Sequence, residues 1–519
     1  MADFDKSKSL NKREFKGLRA YLYPIYKSEI AKFLPIMLIF FFISINYHFL
    51  RIAKDSLIIT APKSGAEVLP FLKVWVMLPS AFIEAYIYTR LLKFFSKETT
   101  FYIIIGFILT FLLCFVLFIY PHKEQLYLDS FADYLQTILP AGFKGLIAIL
   151  RYWMFTLFYV IAESWSFMVL TVLLWGFAND TITVNEAKRF YPLFGIGINF
   201  AGVLVGKFAS VIASSTSSKL SSLTVFLGGK TAWDETFNVF VVIILGCGVL
   251  SLILYRWVVA YILPKDSVFM KRSDLKEKKP KLSIFENIRY VAKSKYLICI
   301  TIIVLAYNIL INFTEVLWKG QLKALYPDPQ HYVAYFSQVI FFIGIVATLG
   351  SIFISGNLIR KFGWRLTALA TPIVFVVTGL FFFYFVFAQN WSTGTALFLG
   401  MTPLALAVFF GSIQDVLSRS AKYTVYDSTK EMAFIPLDAE SRLKGKASID
   451  GIGTRLGKSG ASFVLQILLI FFNTVLACTP VIFLFVVLIV PVWVAAIFSL
   501  DKKFQRVTKK QPQEAIPSI

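Results

Sequence analysis

LPKDSVFMKRSDLKEKKPKLSIFENIRYVAKSK, residues 263–295, is the longest basic, non-apolar interruption in an otherwise apolar chain. On both sides of it the sequence falls into runs long enough to cross a bilayer, which takes about 20 residues. Twelve runs qualify, near 31–55, 68–90, 101–120, 145–178, 190–214, 236–262, 296–319, 333–356, 366–388, 395–418, 447–472 and 476–499. The interruption divides them six and six. Composition agrees: 57% of the 519 residues are hydrophobic, 54 are Phe, and the mean hydropathy is +0.71, far more apolar content than a soluble core of this size needs.

If the N-terminus is cytoplasmic, alternation of the runs puts Lys93/Lys97, Lys188/Arg189, Lys271 to Lys281, Arg360/Lys361/Arg365, Arg419 to Lys446 and Lys502/Lys503 on its side, and the opposite loops are poor in Lys and Arg. The positive-inside rule then fixes both termini in the cytoplasm. The expected fold is an all-α membrane protein of twelve transmembrane helices in two six-helix bundles, major-facilitator-like. It reads as a cytoplasmic segment 1–30, a bundle 31–262, a basic linker 263–295, a bundle 296–499 and a cytoplasmic tail 500–519. INYHFLRIAK in the first run is faintly echoed by INFTEVLWK in the seventh, and GNLIRKFGWR resembles a short basic cytoplasmic turn.

Several function classes are disfavoured. Cys114, Cys247, Cys299 and Cys478 lie in apolar runs without metal or disulfide spacing. The net charge of +22 follows from cytoplasmic loops beside anionic lipid, and no basic domain suits a nucleic-acid polymer. No cleaved secretory signal is evident. His48, His122 and His331 have no acidic partner at catalytic spacing, so an enzyme is not expected. The loop 120–145 has apolar residues at helical spacing and suits the outer membrane surface.

The chemistry lies in charges inside the apolar runs, each costing about 2.5 to 3.5 kcal/mol at the bilayer centre unless it finds a partner or a watery cavity. Tyr47, Arg51, Lys54 and Asp55 recur at spacings of three and four, one polar stripe on one helix face. Asn308, Asn312, Glu315 and Lys319 form a second stripe in the seventh run. In the fourth, Arg151 lies near one end, while Tyr159, Glu163 and Ser166 share a face. Glu163 has no neutralising neighbour in its own helix, and Lys54 is the candidate partner. The eleventh run opens SRLKGKASIDGIGTRLGKSGAS, in which Lys446, Asp450, Gly453 and Gly457 fall on one side. GTRLGKS fails as a phosphate loop: its glycines are mis-spaced and no strand precedes it. Arg51, Lys54, Lys446 and Arg151, set against Glu163 and Glu315, suit a polyanionic substrate.

RIAKDSLIITAPKSGAEVLPFLKVW, LLWGFANDTITVNEAKRFYPLFGIG, FTEVLWKGQLKALYP, NLIRKFGW and KYTVYDSTKEMAFIPLDAESRLKGKASIDGIGTRLGKSG together resemble the ATP/ADP translocase family, the nucleotide transporters of obligate intracellular bacteria and plastids. The resemblance spans nearly the whole chain. It implies nucleotide transport by alternating access without hydrolysis, in the cytoplasmic membrane of an intracellular bacterium. Its functional charges fall on Lys54, Glu163, Glu315 and Lys446, the positions the intramembrane charges had already marked. One departure leaves the nucleotide open: Ser164, Trp165, Ser166 and Phe167 follow Glu163 where the family has Leu-Trp-Gly-Ser. The site expected from residues and resemblance together is Lys54, Glu163, Glu315, Lys446, Arg51, Arg151, Asn312 and Tyr47. The partners are nucleotides and membrane lipid, no cofactor is needed, and a monomer is expected. ATP/ADP exchange leads, proton-coupled import using His48, Asp55 or Glu163 is the alternative, and an NAD carrier on the same fold stays open.

Overall fold

The computed structural model describes residues 24–214, 231–265, 284–389, 400–446, 448–449 and 453–510. Among them every regular element is helical. Eleven helices are long and apolar enough to cross a membrane: α1 (Lys27–Ile59), α2 (Val68–Phe94), α3 (Lys97–Leu126), α4 (Trp153–Thr181), α5 (Arg189–Ser214), α6 (Ala232–Ile262), α7 (Lys295–Leu325), α8 (Pro329–Phe353), α9 (Lys361–Ala388), α11 (Thr454–Phe472) and α12 (Thr479–Arg506). The expected tenth run is helix α10 (Pro403–Ala421), shorter and carrying Asp415 and Arg419; residues 390–399 before it lie outside the described set.

The expected fourth run is two pieces. A short helix, Lys144–Arg151, stops where Tyr152 leaves helical geometry at φ −106° and ψ 47°, and α4 begins at Trp153. The outer loop forms the amphipathic helix Asp129–Ile138 anticipated from its spacing. In the eleventh position the helix proper starts at Thr454, and residues 447 and 450–452 of the expected run lie outside the described set.

Within each half, aromatic side chains join helices that have little hydrophobic drive to associate in lipid. Phe40 stacks on Phe194 at 4.6 Å between α1 and α5, and Phe101 on Tyr255 at 3.8 Å between α3 and α6. Polar side chains add specific links: Asn46 Nδ2 donates to Ile244 O at 2.9 Å, and Trp165 Nε1 to Ile43 O at 3.0 Å.

The halves meet along α5 and α8, where glycines let the backbones touch. A Cβ on Gly206 would sit 2.4 Å from Phe341 N, and one on Gly344 2.6 Å from Val203 N. A second seam joins α2 to α11, with Gln466 Nε2 donating to Pro70 O at 2.8 Å and Trp75 Nε1 to Gln466 Oε1 at 3.0 Å. On the side away from the termini the seams close. Gly142 of the outer loop lies against Leu469 O, Lys323 Nζ reaches Thr60 O at 3.4 Å, and Gln330 Nε2 donates to Ala213 O at 2.7 Å. Along α2, Val68–Leu72 is buried throughout, whereas Met77–Phe94 has no buried residue and turns large apolar side chains such as Phe82, Ile83 and Tyr86 outward. The described residues therefore bring the two halves into contact on the side away from the termini.

Candidate functional site

The charged residues of the spans converge on the seam between the halves. Lys54 Nζ lies 3.1 Å from Asp55 Oδ1 and 3.2 Å from Glu163 Oε2, over the Tyr159 ring at 3.9 Å. Glu163 thus receives the lysine that the sequence nominated for it, from another helix of its own half. Asp55, 1% exposed, turns its second oxygen to Lys319 Nζ of α7 at 2.8 Å. Lys319 also lies 2.8 Å from Glu315 Oε1. One carboxylate of the first half and one of the second therefore share a single ammonium.

Glu315 is the hub on the other side. Arg419 Nη2 of α10 is 3.0 Å from its Oε1 and Lys73 Nζ of α2 is 3.8 Å from its Oε2. Arg419 Nε also donates to Asp415 Oδ1 at 2.7 Å. Asn312 ties this hub to its surroundings: Oδ1 accepts from Lys73, and Nδ2 donates to Ser462 Oγ at 2.9 Å and to Lys458 O at 3.2 Å. The halves show a sign-inverted likeness. In one, a cation on the first helix meets a carboxylate on the fourth (Lys54, Glu163); in the other, a carboxylate on α7 meets a cation on α10 (Glu315, Arg419).

Local backbone geometry supports the placement. The helices widen into π-turns at Leu72–Val76, which carries Lys73, at Trp165–Leu174, directly after Glu163 and Ser164, and at Lys422–Tyr426, directly after α10. Such insertions rotate the residues beyond them and occur often at functional sites.

Cations outnumber carboxylates here. Lys54, Lys319, Lys73 and Arg419 share Asp55, Glu163, Glu315 and Asp415, while Arg51 and Lys458 add charge without a carboxylate at ion-pair distance among the described residues. Arg51 is 8% exposed and its Nη2 has no hydrogen-bond partner. Lys458 is exposed and acts electrostatically on Glu163 and Glu315. Tyr47, on the Arg51 face of α1, lies within electrostatic reach of Arg51 and Glu163. Unpaired buried charge is costly, and a surplus of this sign is what a bound anion would offset.

Not every expected residue joins it. Arg151 is removed to the outer loop: its side chain, 1% exposed, is held between Asp129 and Asp133, with Nη2 2.5 Å from Asp133 Oδ1. The break at Tyr152 separates it from the Glu163 face. Arg151 and Lys63 together hold the Asp133 carboxyl below the usual carboxylate range. Lys446 pairs with Glu431 beside the Phe434 ring, on the cytoplasmic side and apart from the network. Asp450 lies outside the described residues. His48 turns to α5, where a Cβ on Gly202 would stand 3.0 Å from its ring.

Four network residues, Lys73, Asp415, Arg419 and Lys458, are not among those the sequence marks. Run length places Arg419 in a cytoplasmic basic loop, yet its side chain is 14% exposed and engaged by two carboxylates. The available signal was Asp415 four residues before it, an i,i+4 pair in an apolar run.

The family model described as TLC ATP/ADP transporter matches residues 8–504. ADP,ATP carrier protein 1 of Chlamydia muridarum (strain MoPn / Nigg) is 41% identical, covering 97% of this chain and 94% of that protein. The chloroplastic ADP,ATP carrier protein 1 of Arabidopsis thaliana is 38% identical, covering 95% and 77%. Among solved structures, a bacterial homologue of the iron transporter ferroportin in its inward-facing state matches with a TM-score of 0.50 at 14% identity, covering 94% of this chain and 100% of that one. The last supports the major-facilitator-like fold and nothing about substrate.

Proposed function

Because the chain belongs to the TLC ATP/ADP transporter family, we propose that its charged seam is the path of a nucleotide exchanged across the membrane by alternating access. The protein is a multi-pass membrane transporter and not an enzyme; ATP and ADP pass intact. The single observation that carries the mechanism is the unbroken ion network from Glu163 through Lys54, Asp55 and Lys319 to Glu315 and Arg419, which spans both halves.

In the empty carrier Glu163, Asp55 and Glu315 occupy the cations and hold the outer seam shut. An incoming phosphate chain competes for Lys54, Lys319 and Arg419, with Arg51 and Lys458 supplying charge already unpaired. Asn312 keeps α7, α11 and Lys73 in register, and Tyr47 borders the same face. Lys446, at the cytoplasmic end, is a capture cation on the route inward. Partner exchange of this kind makes the seam two-state: one set of ion pairs in the empty protein, another with substrate. A ligand biases such an equilibrium only by its differential affinity for the two states, and polyphosphate charge supplies it. Residues 31–262 and 296–499 serve as the moving bodies, joined by the basic linker 263–295 beside anionic headgroups. The site of action fits the inner membrane of an intracellular bacterium.

The test is counter-exchange in liposomes holding purified protein, preloaded with ADP, with ATP or with nothing, and supplied with labelled ATP. Uptake that requires internal ADP or ATP is expected. Equal uptake into empty liposomes overturns obligate exchange.

A further inference from the structure

Two guanidinium groups face the seam, one from each half, and neither is fully used. Arg51 of α1 is more than nine-tenths buried, its Nη2 has no hydrogen-bond partner, and no carboxylate lies at ion-pair distance from it among the described residues. Arg419 of α10 is anchored through Nε to Asp415, but its buried Nη2 is likewise without a hydrogen bond, being 3.0 Å from Glu315 Oε1 and out of alignment with it. The two arginines lie within electrostatic reach of each other. Asp415 and Glu315 offset part of this charge, but the two Nη2 groups remain buried without a hydrogen bond, and a buried donor left unpaired destabilises a protein. The missing component is an anion with several oxygens.

We infer that Arg51 and Arg419 form a two-sided clamp for the phosphate chain, one arginine from each half taking a different phosphate group, so that the carrier selects nucleoside di- and triphosphates over monophosphates. The inference rests on the carrier reading above and deepens it. A guanidinium presents a planar fork of donors that matches two phosphate oxygens at once, a geometry an ammonium cannot offer. A diphosphate or triphosphate has a group for each fork. A monophosphate engages one arginine and leaves the other buried and idle, so the repulsion between the halves persists. Only the longer chain then draws the two halves onto one ligand, which is the closure that alternating access requires.

The test uses the full-length purified protein and reads thermal unfolding together with the Kd for ATP, ADP and AMP, in the wild type, Arg51→Gln, Arg419→Lys and the double variant. Arg51→Gln removes a charge with no ion pair to lose, so the empty protein unfolds at the same or a higher temperature. Its Kd for ATP and ADP rises about tenfold or more, and AMP changes by less than about twofold. Arg419→Lys keeps the charge toward Asp415 and Glu315 while losing the fork, and it too narrows the preference for ATP over AMP. The double variant loses less than the product of the two, because both arginines hold one ligand. Unchanged ATP affinity in Arg51→Gln overturns the clamp, as does an equal loss for AMP or an empty variant that unfolds at a lower temperature. A wild-type protein that binds none of the three nucleotides overturns the carrier reading and the clamp together, whereas wild-type binding with indifferent variants removes the clamp alone.

Discussion

Arg151 and Lys54 are both cations buried between two carboxylates, and local chemistry alone would not tell them apart. The difference lies in what their partners belong to. Asp129 and Asp133 are carried by the outer-loop helix of the same half, so Arg151 fastens that helix to the short Lys144–Arg151 segment and its contacts end there. Lys54 shares Asp55 with Lys319 of the other half, and through it reaches Glu315 and Arg419. The proposed carrier mechanism therefore assigns function to a buried charge by whether its network crosses between the two halves, not by how deeply it is buried.

The largest effect expected from that contrast is on Lys54. Lys54→Ala leaves Glu163 and Asp55 short of a cation and removes the phosphate ligand proposed above, and the exchange rate falls by about a hundredfold or more, the loss of a strong charge-assisted contact together with the partners it leaves uncompensated. Size-exclusion profiles near those of the wild type would attribute the loss to transport. Retained exchange would break the comparison. Next comes Arg151→Ala, whose cost is structural: removing one partner of a half-buried pair destabilises by about 1–3 kcal/mol, below the figure for full burial because Asp129 and Asp133 are about half exposed. Thermal unfolding shifts down while the KM for nucleotide per folded molecule stays put. A raised KM would return Arg151 to the transport path.

The smallest effect is a pH dependence confined to the peripheral cluster. Hydrogen bonds from Arg151 and Lys63 depress the folded-state pKa of Asp133. Its stabilisation is then present above the ordinary aspartate pKa of about 3.9 and lost as pH falls through the lower folded value. Asp133→Asn should lower the unfolding temperature at pH 7 slightly, and the gap between variant and wild type should shrink once the medium is acidified below about pH 4. A gap that stays constant across that range would remove Asp133 from the account.

Much of this was legible in sequence because membrane physics constrains it strongly. Apolar run length placed most of the helices. Helical spacing gathered Tyr47, Arg51, Lys54 and Asp55 on one face, and the shortage of a local partner for Glu163 pointed to Lys54. What stayed hidden depends on how helices rotate against one another. Lys73 reads as a lone lysine near a span start, and only the π-turn at Leu72–Val76 and the proximity of α7 bring it to Glu315 and Asn312. Arg419 sits where the apolar run gives way to a basic stretch, so run length assigned it to the cytoplasmic loop; its burial comes from α7 of the same half. Arg151 misled for the opposite reason: the apolar run continues through it, while the break at Tyr152, which no Gly or Pro announces, turns it to the outer loop.

The central claim is that the Lys54–Asp55–Lys319 bridge holds the outer ends of the two halves together in the empty carrier. The direct measurement is the distance between spin labels at positions 136 and 324, Gln136 on the outer-loop helix and Ala324 at the outer end of α7, in a background lacking Cys114, Cys247, Cys299 and Cys478. Without nucleotide, the wild type should give one short, narrow distribution and Asp55→Asn a second, longer population. Identical distributions in the two proteins would contradict the claim, because the seam would then be closed by packing alone.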